Sequence, residues 1–79
     1  MQVEVLERDI QAGTARIRFS HGDVTHTQSY NLKMVVPGTD RVLETYGMEF
    51  TEAMQETVIA RLADQVKREI EAGITRNPI

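Results

Sequence analysis

Two histidines and an aspartate lie within six positions of one another, in the stretch HGDVTH. His21, Asp23 and His26 are the only group in the chain whose types and spacing suggest a metal site or an acid–base centre. A metal site would require two ring nitrogens and a carboxylate oxygen to converge at about 2 Å from one ion. Gly22 and Asp23, however, are typical turn residues, because aspartate hydrogen-bonds local amides. We interpret the stretch as a turn, and a metal-dependent site there is the weakest alternative.

Residues for other kinds of catalysis do not stand in recognisable patterns. The chain has no cysteine, and no serine lies in a Gly-x-Ser-x-Gly elbow. The five glycines are isolated, so no phosphate-binding loop is indicated. Glu52 and Glu56 would share a helix face, but acids near a helix start normally complement the helix dipole. The sequence therefore predicts a protein that is not an enzyme, with no cofactor and no small-molecule substrate.

The first half of the chain alternates apolar and polar residues, the pattern of strands with one packed face. Short turns at Gly13 and Gly22 separate the alternating runs, which predicts an antiparallel meander. The predicted strands cover residues 2–10, 15–20 and 24–36. In the first of them Leu6 and Ile10 have the wrong parity, and a bulge between Leu6 and Arg8 would restore the inward direction.

The second half has helical signals. Pro37 and Gly38 end the last strand, and Thr39 or Asp40 would cap a short helix over residues 40–46 that Gly47 closes. A long helix is predicted over residues 51–72, with Thr51 as its N-cap and Gly73 as its stop. Apolar residues recur along it at every fourth position: Met54, Val58, Leu62, Val66 and Ile70.

These elements predict one α+β domain spanning residues 1–79. It is a three-stranded antiparallel meander followed by a short helix and one long amphipathic helix packed on one sheet face (β-β-β-α-α). A helix of about 22 residues is about 33 Å long, so we expect it to overhang one end of the sheet. Ile70 and Ile74 would then lack cover within the chain and favour self-association.

Two further groups are candidates for binding. Tyr46, Met48 and Phe50 crowd the connection between the helices, where they either cap the core or anchor a protein partner. A basic group on the solvent face of the sheet is the candidate for nucleic acid: Arg16, Arg18 and Lys33. Nucleic acid is the less favoured partner, because Phe19 and Tyr30 fall on the buried parity and leave that face without stacking rings.

Composition and charge limit the partners and the cellular location that we expect. Residues 1–36 carry four acids and four bases, whereas residues 37–79 carry eight acids and five bases, which gives the net charge of −3. The electrostatic field of a negatively charged chain opposes the binding of nucleic acid. No apolar run approaches the ~20 residues of a membrane span, and the N-terminal stretch has no signal-peptide pattern. With no cysteine as well, we expect a cytoplasmic protein that contacts no membrane.

A small protein-interaction module is therefore the predicted function. A chain of 79 residues has a small core, and self-association is the usual supplement where disulfides and thiolate metal sites are excluded. We expect a homodimer of the bacterial or phage accessory or assembly type, with another protein as the further partner. A nucleic-acid-binding sheet is the alternative.

Overall fold

The structure is a computed structural model that describes residues 1–73, and it confirms the predicted α+β class. Three strands come first and are followed by a 3-10 helix and two α-helices. Their bounds are β1 Gln2–Asp9, β2 Thr14–His21, β3 Val24–Asn31, the 3-10 helix Leu32–Met34, α1 Thr39–Tyr46 and α2 Glu52–Glu71. Within these residues no helix combines the length and the apolar character needed to span a membrane.

The sheet has the order β1-β2-β3, and both pairs of strands are antiparallel. Val3 lies opposite Phe19 and Val5 lies opposite Ile17, so these four side chains share the face on which α2 packs. The predicted bulge is confirmed, because the β1–β2 register shifts between Val5 and Glu7. After the shift Arg8 lies opposite Ala15 and its side chain turns to the helix side, where it forms an ion pair with Glu56.

The last strand is shorter than predicted. The alternation through Val36 indicated a strand over residues 24–36, but β3 ends at Asn31. Thr14 is the residue opposite Asn31, and β2 begins there, so residues beyond Asn31 have no ladder partner. The Leu32 amide instead donates to the carbonyl of Gly13, and the Asn31 side chain accepts from the Lys33 amide. This local hydrogen bonding favours the 3-10 helix over a strand.

The two α-helices begin differently. Neither Thr39 nor Asp40 caps α1: the N-cap is Gly38, and the Thr39 hydroxyl donates backwards to the carbonyl of Val36 at 2.8 Å. The predicted closure at Gly47 is confirmed, with a left-handed backbone and φ of 61°. Thr51 is confirmed as the cap of α2, since its hydroxyl accepts from the Met54 amide at 3.2 Å.

α2 lies over the central strand and runs along its length from one end of the sheet to the other. At its start the Gln55 side chain donates to the Ile10 carbonyl, and near its end Glu71 lies 3.6 Å from His21. Because α2 ends above the sheet, the expectation that Ile70 overhangs is wrong: Ile70 is half-buried and packs against the core. Ile74 lies outside the described residues.

The buried core joins the helix side of the sheet to the inner stripe of α2. The predicted stripe is confirmed at Val58, Leu62 and Val66, and Ile59 widens it as expected. Phe19 and Tyr30 contact edge to face, with ring centroids 6.0 Å apart. The nine clustered residues are Ala15, Ile17, Phe19, Tyr30, Leu32, Val58, Ile59, Leu62 and Val66.

Candidate interaction surfaces

Three apolar side chains lie exposed on α1 and directly after it. Val42 and Tyr46 are four residues apart and share one face of the helix, with 51% and 74% of their surface exposed. Met48 follows the helix and is 47% exposed. We call Val42, Tyr46 and Met48 the α1 surface. A solvent-exposed tyrosine beside valine and methionine has the composition of a protein-binding anchor.

The backbone fixes the α1 surface in place. Leu43, on the inner side of α1, is buried and holds the helix to the domain. The left-handed Gly47 turns the chain, and the Met48 amide then donates to the Leu43 carbonyl at 2.8 Å. Met48 is therefore tied to the end of α1 rather than placed on a free loop.

Phe50 lies in a different environment from Tyr46 and Met48, the two residues with which the sequence grouped it. It is half-buried and packs against the core. Its ring lies over Gly13, where an added Cβ would come within 3.1 Å of Phe50 Cδ2. The structure thus gives Phe50 the core-capping position that the sequence left open, while Tyr46 and Met48 point to solvent.

Acidic groups lie on one side of the α1 surface, next to Met48. Residues 39 to 52 contain four carboxylates and one guanidinium, so this segment alone carries a charge of −3, equal to that of the whole chain. A shallow depression beside Met48 is lined by Asp40, Glu44 and Lys33. A partner that is apolar at its centre and basic at its rim would complement this region.

The basic residues of the outer sheet face are balanced by acids. Arg18 pairs with Glu4 at 3.2 Å, and Arg16 lies opposite Glu7 in the β1–β2 register. Lys33 is not on this face of the sheet, since it belongs to the 3-10 helix and its Cε approaches Gly13. The structure brings Arg16 and Arg18 together but leaves them without an excess of positive charge.

The stretch at residues 21 to 26 forms a tight turn, as the sequence indicates. His21 lies opposite Val24, and Gly22 and Asp23 connect β2 to β3, with Gly22 at φ of 61°. His26 Nε2 hydrogen-bonds to the Gln28 side chain at 2.9 Å. Among residues 1 to 73, no group of three histidine or carboxylate side chains is arranged to hold a metal ion.

Gln55 is a fully buried polar residue that the sequence pattern did not single out. Its Nε2 donates to the carbonyls of Ile10 at 2.8 Å and Phe50 at 3.0 Å. Those bonds connect the end of β1, the segment before α2 and α2 itself. The only available signal was its position on the apolar stripe, four residues before Ile59.

The start of β1 carries a second exposed apolar surface, which the sequence analysis did not identify. Val3 and Val5 face the helix side, yet 42% and 41% of their surface is exposed. Alternation correctly predicted their direction. It carried no information on whether the helix would reach far enough to cover the outer strand.

Comparisons with known proteins give no assignment for this chain. No family model matches it. Searches of curated proteins and of solved structures also find no match.

Proposed function

We propose that the chain is a small, non-enzymatic protein-interaction module of the accessory or assembly type found in bacteria and phages. The exposure of Tyr46, between Val42 and Met48 on a helix end held in place by Gly47, carries this proposal. When it is bound, an exposed tyrosine supplies a large contact area at little conformational cost.

The partner that fits the α1 surface is a protein segment with an apolar side chain and neighbouring lysines or arginines. Asp40 and Glu44 lie beside Met48 and supply the complementary charge on that side of the surface. Such rim charges act mainly on the rate of association and on specificity, whereas the buried anchor determines most of the affinity. We place this binding in the cytoplasm, which is consistent with a chain that has no cysteine.

Selection from a random peptide library displayed on phage tests the proposal while the natural partner is still unidentified. We expect the immobilised chain to enrich peptides that combine an apolar anchor with basic residues. Tyr46→Ser should weaken the binding of the enriched peptides by about 30-fold, the loss of about 2 kcal/mol typical of a hot spot. Glu44→Gln should weaken it by a few-fold and reduce its dependence on salt.

Val24→Ser is the matched control. Val24 is as exposed as Met48 but lies at the β2–β3 turn, so removing it changes apolar exposure without touching the α1 surface. Peptides that bind the Tyr46→Ser and Val24→Ser variants with equal affinity would refute the proposal.

A nucleic-acid-binding outer face remains the alternative outcome. It would appear as RNA or DNA binding at low salt that weakens on Arg18→Glu and is insensitive to Tyr46→Ser. The pairing of Arg18 with Glu4 favours the protein-binding function over this alternative.

A further inference from the structure

β1 is an edge strand that α2 does not cover. The helix packs over β2, and the direct neighbours of Val3 and Val5 on that strand, Phe19 and Ile17, are fully buried. Met1 continues the alternation and is also exposed. We call residues 1 to 5 the β1 edge; its helix side is an apolar row of Met1, Val3 and Val5. An edge strand also presents unpaired backbone groups, which makes it a template for another strand.

We propose that the β1 edge pairs with the same edge of a second copy of this chain. The two strands would run antiparallel about a two-fold axis through Val3 and join the sheets into one of six strands. This surface is separate from the α1 surface, so the two proposals can fail independently.

Self-complementarity of the sequence selects this register. In an antiparallel pair with two-fold symmetry, opposed residues are equally distant from the axis and share one face. With Val3 opposite Val3 of the second copy, Met1 lies opposite Val5 on the helix side. On the outer face Gln2 lies opposite Glu4. Apolar residues therefore meet apolar residues, and an amide meets a carboxylate.

The two registers centred farther along β1, on Glu4 and on Val5, lose this match. An axis through Glu4 would place two carboxylates directly opposite each other, which is destabilising. An axis through Val5 would oppose Val3 to Glu7 and draw the bulge at Leu6 into the pairing. The bulge thus limits pairing to the residues that precede it.

The opposite edge of the sheet is a poorer candidate. After Val24, the helix side of β3 presents His26 and Gln28, whose side chains hydrogen-bond to each other and are half-buried. The outer side of β3 consists of Thr25, Thr27, Ser29 and Asn31. β3 therefore offers no apolar row that a second copy could bury.

The spacing of the elements would leave a gap between the two α2 helices, above the paired β1 edges. In the six-stranded sheet the two β2 strands would be three strand spacings apart, about 14 Å. The helices above them would be farther apart than the 8–10 Å of direct helix packing. The six side chains contributed by Met1, Val3 and Val5 of both copies would occupy this gap and be buried there.

Single-cysteine cross-linking tests the register directly, because the chain has no cysteine of its own. Oxidised glutathione should link Val3→Cys to itself, since opposed Cβ atoms lie about 5 Å apart and a disulfide needs about 4 Å. Val5→Cys should not link to itself, because its copies would be about 14 Å apart along the strands. A mixture of Met1→Cys and Val5→Cys should form the mixed disulfide.

Sedimentation equilibrium is the second test, since it measures how strongly the chain dimerises. Val3→Lys would oppose two ammonium groups at the axis, and we expect dimerisation at least ten times weaker than in the unmodified chain. Val24→Lys is the matched control on the β3 edge and should leave dimerisation unchanged. Circular dichroism of both variants distinguishes lost association from lost folding.

The proposal fails if the unmodified chain is a monomer at millimolar concentration. It also fails if Val24→Cys cross-links as fast as Val3→Cys, or if Val24→Lys weakens the dimer as much as Val3→Lys.

Discussion

β1 and β2 present the same kind of side chain to the same side of the sheet, but with opposite outcomes. Phe19 and Ile17 on β2 are fully buried, whereas Val3 and Val5, their direct partners on β1, are about two-fifths exposed. The two strands differ in their position relative to α2, which lies over the centre of the sheet. Hydrophobic alternation thus determines the direction of a side chain, and the width of the covering layer determines its burial.

The largest expected effect is on the covered strand. Phe19→Ala should reduce the free energy of unfolding by about 3–5 kcal/mol, because it removes a fully buried ring and leaves a cavity. Val3→Ala, at the opposed position, should cost less than about 1 kcal/mol at concentrations where the chain is monomeric. Urea unfolding followed by circular dichroism measures both. Equal losses would mean that β1 is covered as well as β2.

The bonds made by Gln55 connect the end of β1 to the covered part of the molecule. Gln55→Met keeps a long side chain but removes the donor to the Ile10 and Phe50 carbonyls, and should cost about 1–3 kcal/mol. Gln65→Met is the control, since Gln65 is exposed and its side chain donates to Glu69 in the next turn. Thermal unfolding of the two variants should separate them clearly; indistinguishable melting temperatures would contradict the role given to Gln55.

The packing of the β1–β2 turn can be tested by comparing its Gly13 with Gly22 of the β2–β3 turn. Gly13 and Gly22 both have positive φ, but only Gly13 lies against a neighbour, the Phe50 ring. Gly22→Ala should cost about 1 kcal/mol from backbone strain alone. Gly13→Ala should cost about 1 kcal/mol more, because the ring must move from the core edge. Chemical denaturation gives the difference, and equal costs would show that Phe50 does not pack on the turn.

The smallest expected effect concerns the outer face. Glu4 and Arg18 join β1 to β2 through an exposed ion pair, which should contribute less than about 1 kcal/mol. A double-mutant cycle with Glu4→Ala and Arg18→Ala isolates this interaction. A coupling energy well above that value would mean that β1 is held mainly by charge rather than by its ladder.

Much of the fold could be predicted from local signals. Alternation and turn glycines gave three strands, the parity error at Leu6 gave the bulge, and Thr51 gave the start of α2. The end of β3 could not be predicted in this way. The apolar pattern continues to Val36, but the ladder stops where β2 begins, which is a property of the partner strand.

The candidate surfaces were predicted in part. Tyr46, Met48 and Phe50 were recognised as a group, but only the packing of Phe50 over Gly13 separates the core residue from the two exposed ones. The β1 edge was missed because burial depends on the reach of α2 across the sheet. Conversely, Ile70 was expected to be uncovered, but the end of α2 lies above the sheet, and Ile70 is half-buried against the core.

The difference between β1 and β2 leads to the claim that a second copy covers the β1 edge. Amide hydrogen exchange as a function of protein concentration tests it most directly, since an amide that gains a strand partner exchanges more slowly. We predict that the amides of residues 2 to 5 that point away from β2 exchange at least about tenfold more slowly at millimolar than at low-micromolar protein, while the edge amides of β3 stay unchanged. Exchange of these β1 amides that is independent of concentration, or that slows equally on β3, would contradict the pairing.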